Sequence, residues 1–177
     1  MGEGFFRDRK GQVAIELAPE ESVVLQGLIK QLLALLDELP GGDPGLAELG
    51  ISENTAPPED AVLARLFPDG YQEDDPAATE FRRYTESSLR DGKREAAQTM
   101  LKALTDEGGK IVLDEQEGRA WLRAINDLRL ALGTRLEITE ESYERFEELD
   151  WSDPKFGMFA AYDWLTMLQD SLVRAMW

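Results

Sequence analysis

Two sets of strong polar residues recur at helical spacing, and their chemistry is that of binding. Arg83, Arg90 and Arg94 are separated by seven and four residues, which places them close in azimuth on a helix, with Arg82 and Lys93 beside the strip. Guanidinium groups in that array suit an acidic protein surface or nucleic-acid phosphates. They equally suit a solvated helix face neutralised by Glu80, Glu86 and Asp91. The second set, Asn126, Asp127, Arg129 and Arg135, lies on or beside an apolar face made by Trp121, Leu122, Ile125, Leu128, Leu132 and Leu136. Polar groups carried into a core have to be paired. A forked contact of an arginine with Asp127, or arginine bonds to loop carbonyls, would make this a structural network; a ligand pocket is the alternative.

A third set is acidic. Glu140, Glu141 and Glu144, followed by Glu147, Glu148, Asp150 and Asp153, suit a basic protein surface, and they also serve solubility. Catalysis has little to work with. The chain has no cysteine and no histidine, which removes thiolate nucleophiles, disulfides, sulfur-ligated metals and the commonest general base near neutral pH. No nucleophile stands beside a plausible base and no phosphate loop is present, so no catalytic residue, metal site or cofactor is expected. The acidic stretch from Asp69 to Asp75 lacks the ligand spacing of an EF-hand.

The charge balance narrows the partners. Thirty-six acidic residues against 19 basic ones give a formal charge of −17, which opposes binding to DNA, RNA and anionic membranes unless cations are segregated. No helix-turn-helix spacing accompanies the arginines. The most apolar stretch, between Ser22 and Leu39, is interrupted by Gln26, Lys30, Gln31, Asp37 and Glu38, so no membrane span is expected. The amino terminus lacks the pattern of a secretory signal, and a cytoplasmic location is expected.

The elements that must position these residues follow from local signals. A hairpin is expected within residues 4–17, turning from Asp8 to Gly11, with Val13, Ile15 and Leu17 facing the core. Pro19, Glu20 and Glu21 open a helix to about Leu39, whose leucine stripe marks it as the central packing helix. Residues from about 40 to 58, rich in Gly and Pro, read as a mobile loop, and a short helix follows from Asp60 to Leu66. The long helix opened by Asp75 and Pro76 should reach about Asp106. Phe81, Thr85, Leu89, Gly92, Ala96, Met100 and Leu104 make its apolar spacing, with Gly92 allowing a close neighbour or a kink. Lys110 to Leu113 reads as a third strand, and Asp114 with Glu117 as a capping box for the helix of Trp121. Thr139 caps an acidic helix to about Leu149. Ser152, Asp153 and Pro154 cap a last helix whose inner face takes in Phe156, Phe159, Ala160, Trp164, Met167, Leu168, Leu172 and Met176.

Several segments carry a family resemblance. They are Trp121 to Arg129 with Leu132-Gly133-Thr134-Arg135-Leu136, Gly4-Phe5-Phe6-Arg7, Leu66-Phe67-Pro68-Asp69-Gly70-Tyr71, Phe81-Arg82-Arg83-Tyr84-Thr85-Glu86, and Tyr162 to Gln169. In this order they resemble an actinobacterial domain-of-unknown-function family that includes oxidative-stress-responsive transcriptional regulators of the AosR type. The resemblance covers most of the chain and implies transcriptional regulation, with no established reaction. A thiol-based oxidation sensor needs cysteine, so in this chain any redox-sensitive element is expected to belong to a partner.

The expected fold is α+β and mostly α: a single domain over residues 1–177, about six helices with a two- or three-stranded sheet near the amino terminus, and a helical body over 59–177. The expected function is that of a non-enzymatic cytoplasmic regulator or adaptor acting through protein contacts, with a sigma factor or other transcription component as partner. The alternative is a DNA-binding regulator that uses the arginine strip, and a small-ligand or enzymatic domain comes third.

Overall fold

The computed structural model of the chain describes residues 2–37, 60–68 and 75–177, the side chains at 75, 78, 79 and 81–84 excepted. The loop expected over about 40–58 lies outside these residues, as does Leu39. Among the described residues six helices and three strands follow the order β1 (Phe6–Arg7), β2 (Val13–Leu17), α1 (Pro19–Asp37), α2 (Ala61–Leu66), α3 (Asp75–Ala103), β3 (Gly109–Leu113), α4 (Glu115–Arg135), α5 (Glu140–Glu147) and α6 (Phe156–Met176).

The sheet has the order β1-β2-β3 and both pairings are antiparallel. The Asp8 carboxylate accepts the backbone N–H groups of Lys10 at 2.9 Å and Gln12 at 3.0 Å, which closes the hairpin turn. Alternation then sends Ile15 and Leu17 into the core. Ala14 on the opposite face is buried too, since Phe6 and Val112 lie across from it on the two flanking strands. Entry into β3 depends on Gly108: its φ is 67°, and a Cβ there would collide with the backbone of Leu17 and Ala18.

Helix starts follow their capping signals. The Glu21 carboxylate accepts the Ala18 N–H at 2.9 Å and also the Gly2 N–H at the head of α1. Asp60 caps α2 through the N–H groups of Val62 and Leu63. Asp114 and Glu117 form a reciprocal capping box on α4, and Thr139 and Ser142 form another on α5. Helix α6 departs from expectation: it begins at Phe156, two residues past Pro154, with no side-chain cap, while Asp153 accepts the Lys155 N–H in the preceding turn.

The central position belongs to α4, not to α1 as its leucine stripe suggested. Helix α4 packs against α1, α2, α3 and α6, and it buries Trp121, Ala124, Ile125, Leu128 and Leu132. Helix α1 buries Leu25, Ile29, Leu32 and Leu36 on one side and leaves Val23 and Val24 in solvent, the pattern of an outer layer. Two residues expected on the inner face of α6, Phe156 and Met167, are exposed, and Leu165 and Ala175 are buried in the same helix. Phe5 meets the Trp121 ring edge-on, with centroids 5.7 Å apart, and the Phe5 N–H donates to Ser171 Oγ at 2.9 Å, so the hairpin is tied to both α4 and α6.

Helix α3 runs unbroken through Gly92, and a Cβ at that position would meet nothing within 4 Å. Neither a close neighbour nor a strained backbone accounts for the glycine. Gly92→Ala is therefore expected to stabilise the protein by roughly 0.5–1 kcal/mol through helix propensity. Leu32→Ala, emptying a buried site in α1, is expected to cost about 2–5 kcal/mol. Urea denaturation of the two variants checks both signs.

Candidate functional site

Three cationic residues of α3, Arg90, Lys93 and Arg94, bond neighbouring helices. Arg90 is only 7% exposed: its Nη1 donates to the Leu36 carbonyl at 2.5 Å, its Nη2 to Glu86 at 3.3 Å, and its guanidinium lies 4.9 Å from the centroid of the Phe67 ring. Arg94 donates to the Asp37 carboxylate at 2.9 Å, to Asp91 at 3.0 Å and to the Leu36 carbonyl at 3.4 Å. Leu36 and Asp37 lie at the end of the described part of α1, and α3 supplies two guanidiniums to them. Of the expected partner strip, Arg90 and Arg94 are bonded to Leu36 and Asp37 within the fold, and the side chains of Arg82 and Arg83 lie outside the described residues.

The third cation, Lys93, reaches α4. Its ammonium donates to Asp127 Oδ1 at 2.7 Å. Asp127 is 2% exposed, and its Oδ2 has no hydrogen-bond donor among the described residues. Burial pushes the Asp127 carboxyl above the usual carboxylate range, and the Lys93 ammonium pulls it part of the way back. The partner of the expected buried aspartate is thus a lysine from the neighbouring helix rather than an arginine of its own.

A separate polar seam joins α4 to α6. Arg129 Nε donates to Thr166 Oγ1 at 2.9 Å, its Nη1 donates to Gln169 Oε1, and its guanidinium lies 5.6 Å from the Tyr162 ring centroid. Gln169 Nε2 in turn donates to Asn126 Oδ1 at 3.2 Å. The four residues expected to form one network are consequently divided: Asn126 and Arg129 face α6, Asp127 faces α3, and Arg135 is exposed on the last turn of α4.

The acidic set sits on α5. Glu140, Glu141 and Glu144 are exposed, while Tyr143 and Phe146 hold the helix against Phe159 of α6 at centroid distances of 5.7 and 5.4 Å. Tyr143 donates its hydroxyl to Asp163 at 2.8 Å, and this bond to a carboxylate is the main cause of a phenol pKa pushed up to about 12. Beyond α5, Trp151 is 81% exposed, and Phe156 and Met158 also reach solvent. This aromatic patch escaped the sequence reading. Its signal was the placement of Trp151 between Asp150 and Ser152-Asp153, outside every apolar period.

Architecture and surface together describe a mostly helical α+β protein in which Arg90, Lys93 and Arg94 are bonded within the fold and Glu140, Glu141 and Glu144 face solvent. The chain belongs to the family described as Domain of unknown function (DUF2017), whose model matches residues 2–176. It is similar to the protein named Oxidative stress regulator AosR in Mycobacterium tuberculosis and in Mycobacterium bovis, each 39% identical over 174 residues that cover 89% of this chain and 78% of the relative. A relative from Mycobacterium leprae is 39% identical over 178 residues, 90% of this chain and 80% of its own. No solved structure matches the chain. Among the described residues no helix is long and apolar enough to cross a membrane.

The Lys93–Asp127 pair generates a pH prediction. Because the Asp127 carboxyl is raised in the folded state, its contribution to stability is complete below its unfolded value of 3.8 and is lost as the pH climbs through the folded value. The stability advantage of the parent over Asp127→Asn should be largest in acid and shrink toward neutrality. Lys93→Met should cost about 3–5 kcal/mol at neutral pH, where it strands a buried carboxylate, and less in acid. Denaturant unfolding of the three proteins from about pH 3 to 7 reads both effects.

Proposed function

We propose that this chain is a non-enzymatic cytoplasmic regulator that works through protein contacts, and that the process it regulates is transcription. The observation that carries this reading is the distribution of charge: Arg90, Lys93 and Arg94 are bonded within the fold, while Glu140, Glu141 and Glu144 stand in solvent on the helix that precedes the exposed Trp151. An acidic rim beside an exposed indole suits a basic partner segment with an apolar anchor. A sigma factor or another protein component of the transcription machinery is the partner class. The names of the mycobacterial relatives support a regulatory role linked to oxidative stress. Direct DNA binding is the weaker reading, since Arg90 and Arg94 are engaged with α1 and the net charge is −17.

The surface is tested by affinity purification from native cells with mass spectrometry, using the parent and a Glu140→Lys, Glu141→Lys, Glu144→Lys variant side by side. Binding of each purified candidate is then titrated. Charge reversal should weaken the specific partner by about tenfold or more while leaving the unfolding midpoint near that of the parent. An affinity indifferent to the reversal counts against this surface. Tight, steeply salt-dependent binding to random duplex DNA that is lost on replacing Arg82 and Arg83 would establish the DNA reading instead.

The absence of cysteine gives a second test. A mild thiol oxidant applied to this chain alone should leave complex formation unchanged, and the same treatment of the partner should change it. A rapid reversible switch arising in this chain, with its methionines intact, would overturn the assignment of redox chemistry to the partner.

A further inference from the structure

A cavity of about 310 Å³ opens between α2, the last turns of α4 with the turn that leads to α5, and Tyr162 of α6. Two arginines, Arg65 and Arg129, line it, an unusual local charge in a chain of net −17. Arg129 is half-buried and has no carboxylate partner among the described residues. Its Nε and Nη1 are held by the neutral groups of Thr166 and Gln169, and its second amino group makes no hydrogen bond among those residues. A partly desolvated cation fixed by neutral acceptors favours an anion at its free side. Arg65, in the last turn of α2, likewise makes no ion pair among the described residues.

The rim carries a second, independent observation. Helix α4 ends in a Schellman arrangement: the Glu137 N–H bonds the Thr134 carbonyl at 3.1 Å and the Ile138 N–H bonds the Gly133 carbonyl at 2.9 Å. The residue after the cap in this motif adopts a left-handed backbone that favours glycine, yet Glu137 occupies it with φ 53°. It is the one non-glycine residue with positive φ among those described. Glu137 lines the same cavity as the two arginines. Strain retained at a cavity rim marks a side chain with work to do there.

We propose that this cavity binds a small organic acid that carries an oxoanion and a hydrogen-bond donor at opposite ends of an apolar body. The oxoanion, carboxylate or phosphate, sits between Arg65 and Arg129; the body lies along Tyr162, Leu130 and Ile138; the donor end reaches Glu137. The volume suits a molecule of drug-fragment size.

The test titrates the intact protein with inorganic phosphate, benzoate, phenyl phosphate and 4-hydroxybenzoate at fixed ionic strength, following the Ile138 methyl and Tyr162 ring resonances. Saturable shifts in the millimolar range are expected for the three aromatic acids, tightest for 4-hydroxybenzoate, and the benzoate and phenyl phosphate arms distinguish carboxylate from phosphate recognition. Arg65→Gln, at an exposed position, should weaken all three by about tenfold. Glu137→Gly should raise the unfolding midpoint by relieving the left-handed backbone, retain benzoate binding and abolish the preference for the hydroxyl. Absence of saturable shifts from all the probes, or binding indifferent to Arg65→Gln, overturns the proposal. Binding of phosphate alone as tightly as the aromatic acids overturns it as well, since an apolar body would then contribute nothing.

Discussion

One backbone carbonyl of α1, that of Leu36, accepts two guanidiniums from α3, Arg90 at 2.5 Å and Arg94 at 3.4 Å. That contact determines how α3 is rotated about its axis. With Arg90 turned inward, Lys93, Ala97, Met100 and Leu104 follow at steps of three and four residues on the same face, and Leu89, one residue away, is 44% exposed. Lys93 is then carried to Asp127, so the contact at Leu36 orients both the α1–α3 and the α3–α4 interfaces.

Consecutive residues of α4 serve different neighbours. Asp127 bonds α3, while Asn126 and Arg129, one helical step apart, bond α6. A sliding of α4 along either neighbour would strand a buried polar group, a cost that apolar contacts alone would not impose. The two seams differ in kind. The α3 seam is an ion pair, whereas the α6 seam surrounds one arginine with neutral acceptors and an aromatic ring, leaving a positive charge near the surface.

Local signals made most of the fold legible in the sequence. The hairpin turn, the Asp114–Glu117 box and the Thr139 cap depend on residues within a few positions of one another, and such bonds form wherever the chain goes next. Of the expected apolar face of α3, Ala96, Met100 and Leu104 are buried, while Leu89 is exposed and Arg90 turns inward instead. Arg90 and Lys93 lie in phase with Ala97, Met100 and Leu104, but a charged residue in that phase is legible as buried only once its partner is known. The partners are a carbonyl at Leu36 and a carboxylate at Asp127, 54 and 34 residues away. Of the polar residues of α4, Asp127 is buried, Asn126 and Arg129 are half-buried and Arg135 is exposed, and the division of the first three between two seams depends on tertiary neighbours that lie far away in sequence.

Acid and base are thereby sorted in space. The arginines and lysine that bond α1 and α4 contribute little to an outward potential, and the glutamates of α5 meet no neutralising cation among the described residues of their own face apart from Arg145. The aromatic contacts that hold α5 run from Tyr143 and Phe146 through Phe159 to Tyr162, which is also the ring beneath Arg129. One ring therefore belongs both to the cluster that seats the acidic helix and to the wall of the arginine-lined cavity. A change in the position of Tyr162 has to be absorbed by Phe159, because packed aromatic rings leave no free volume between them, and Phe159 is where α5 rests.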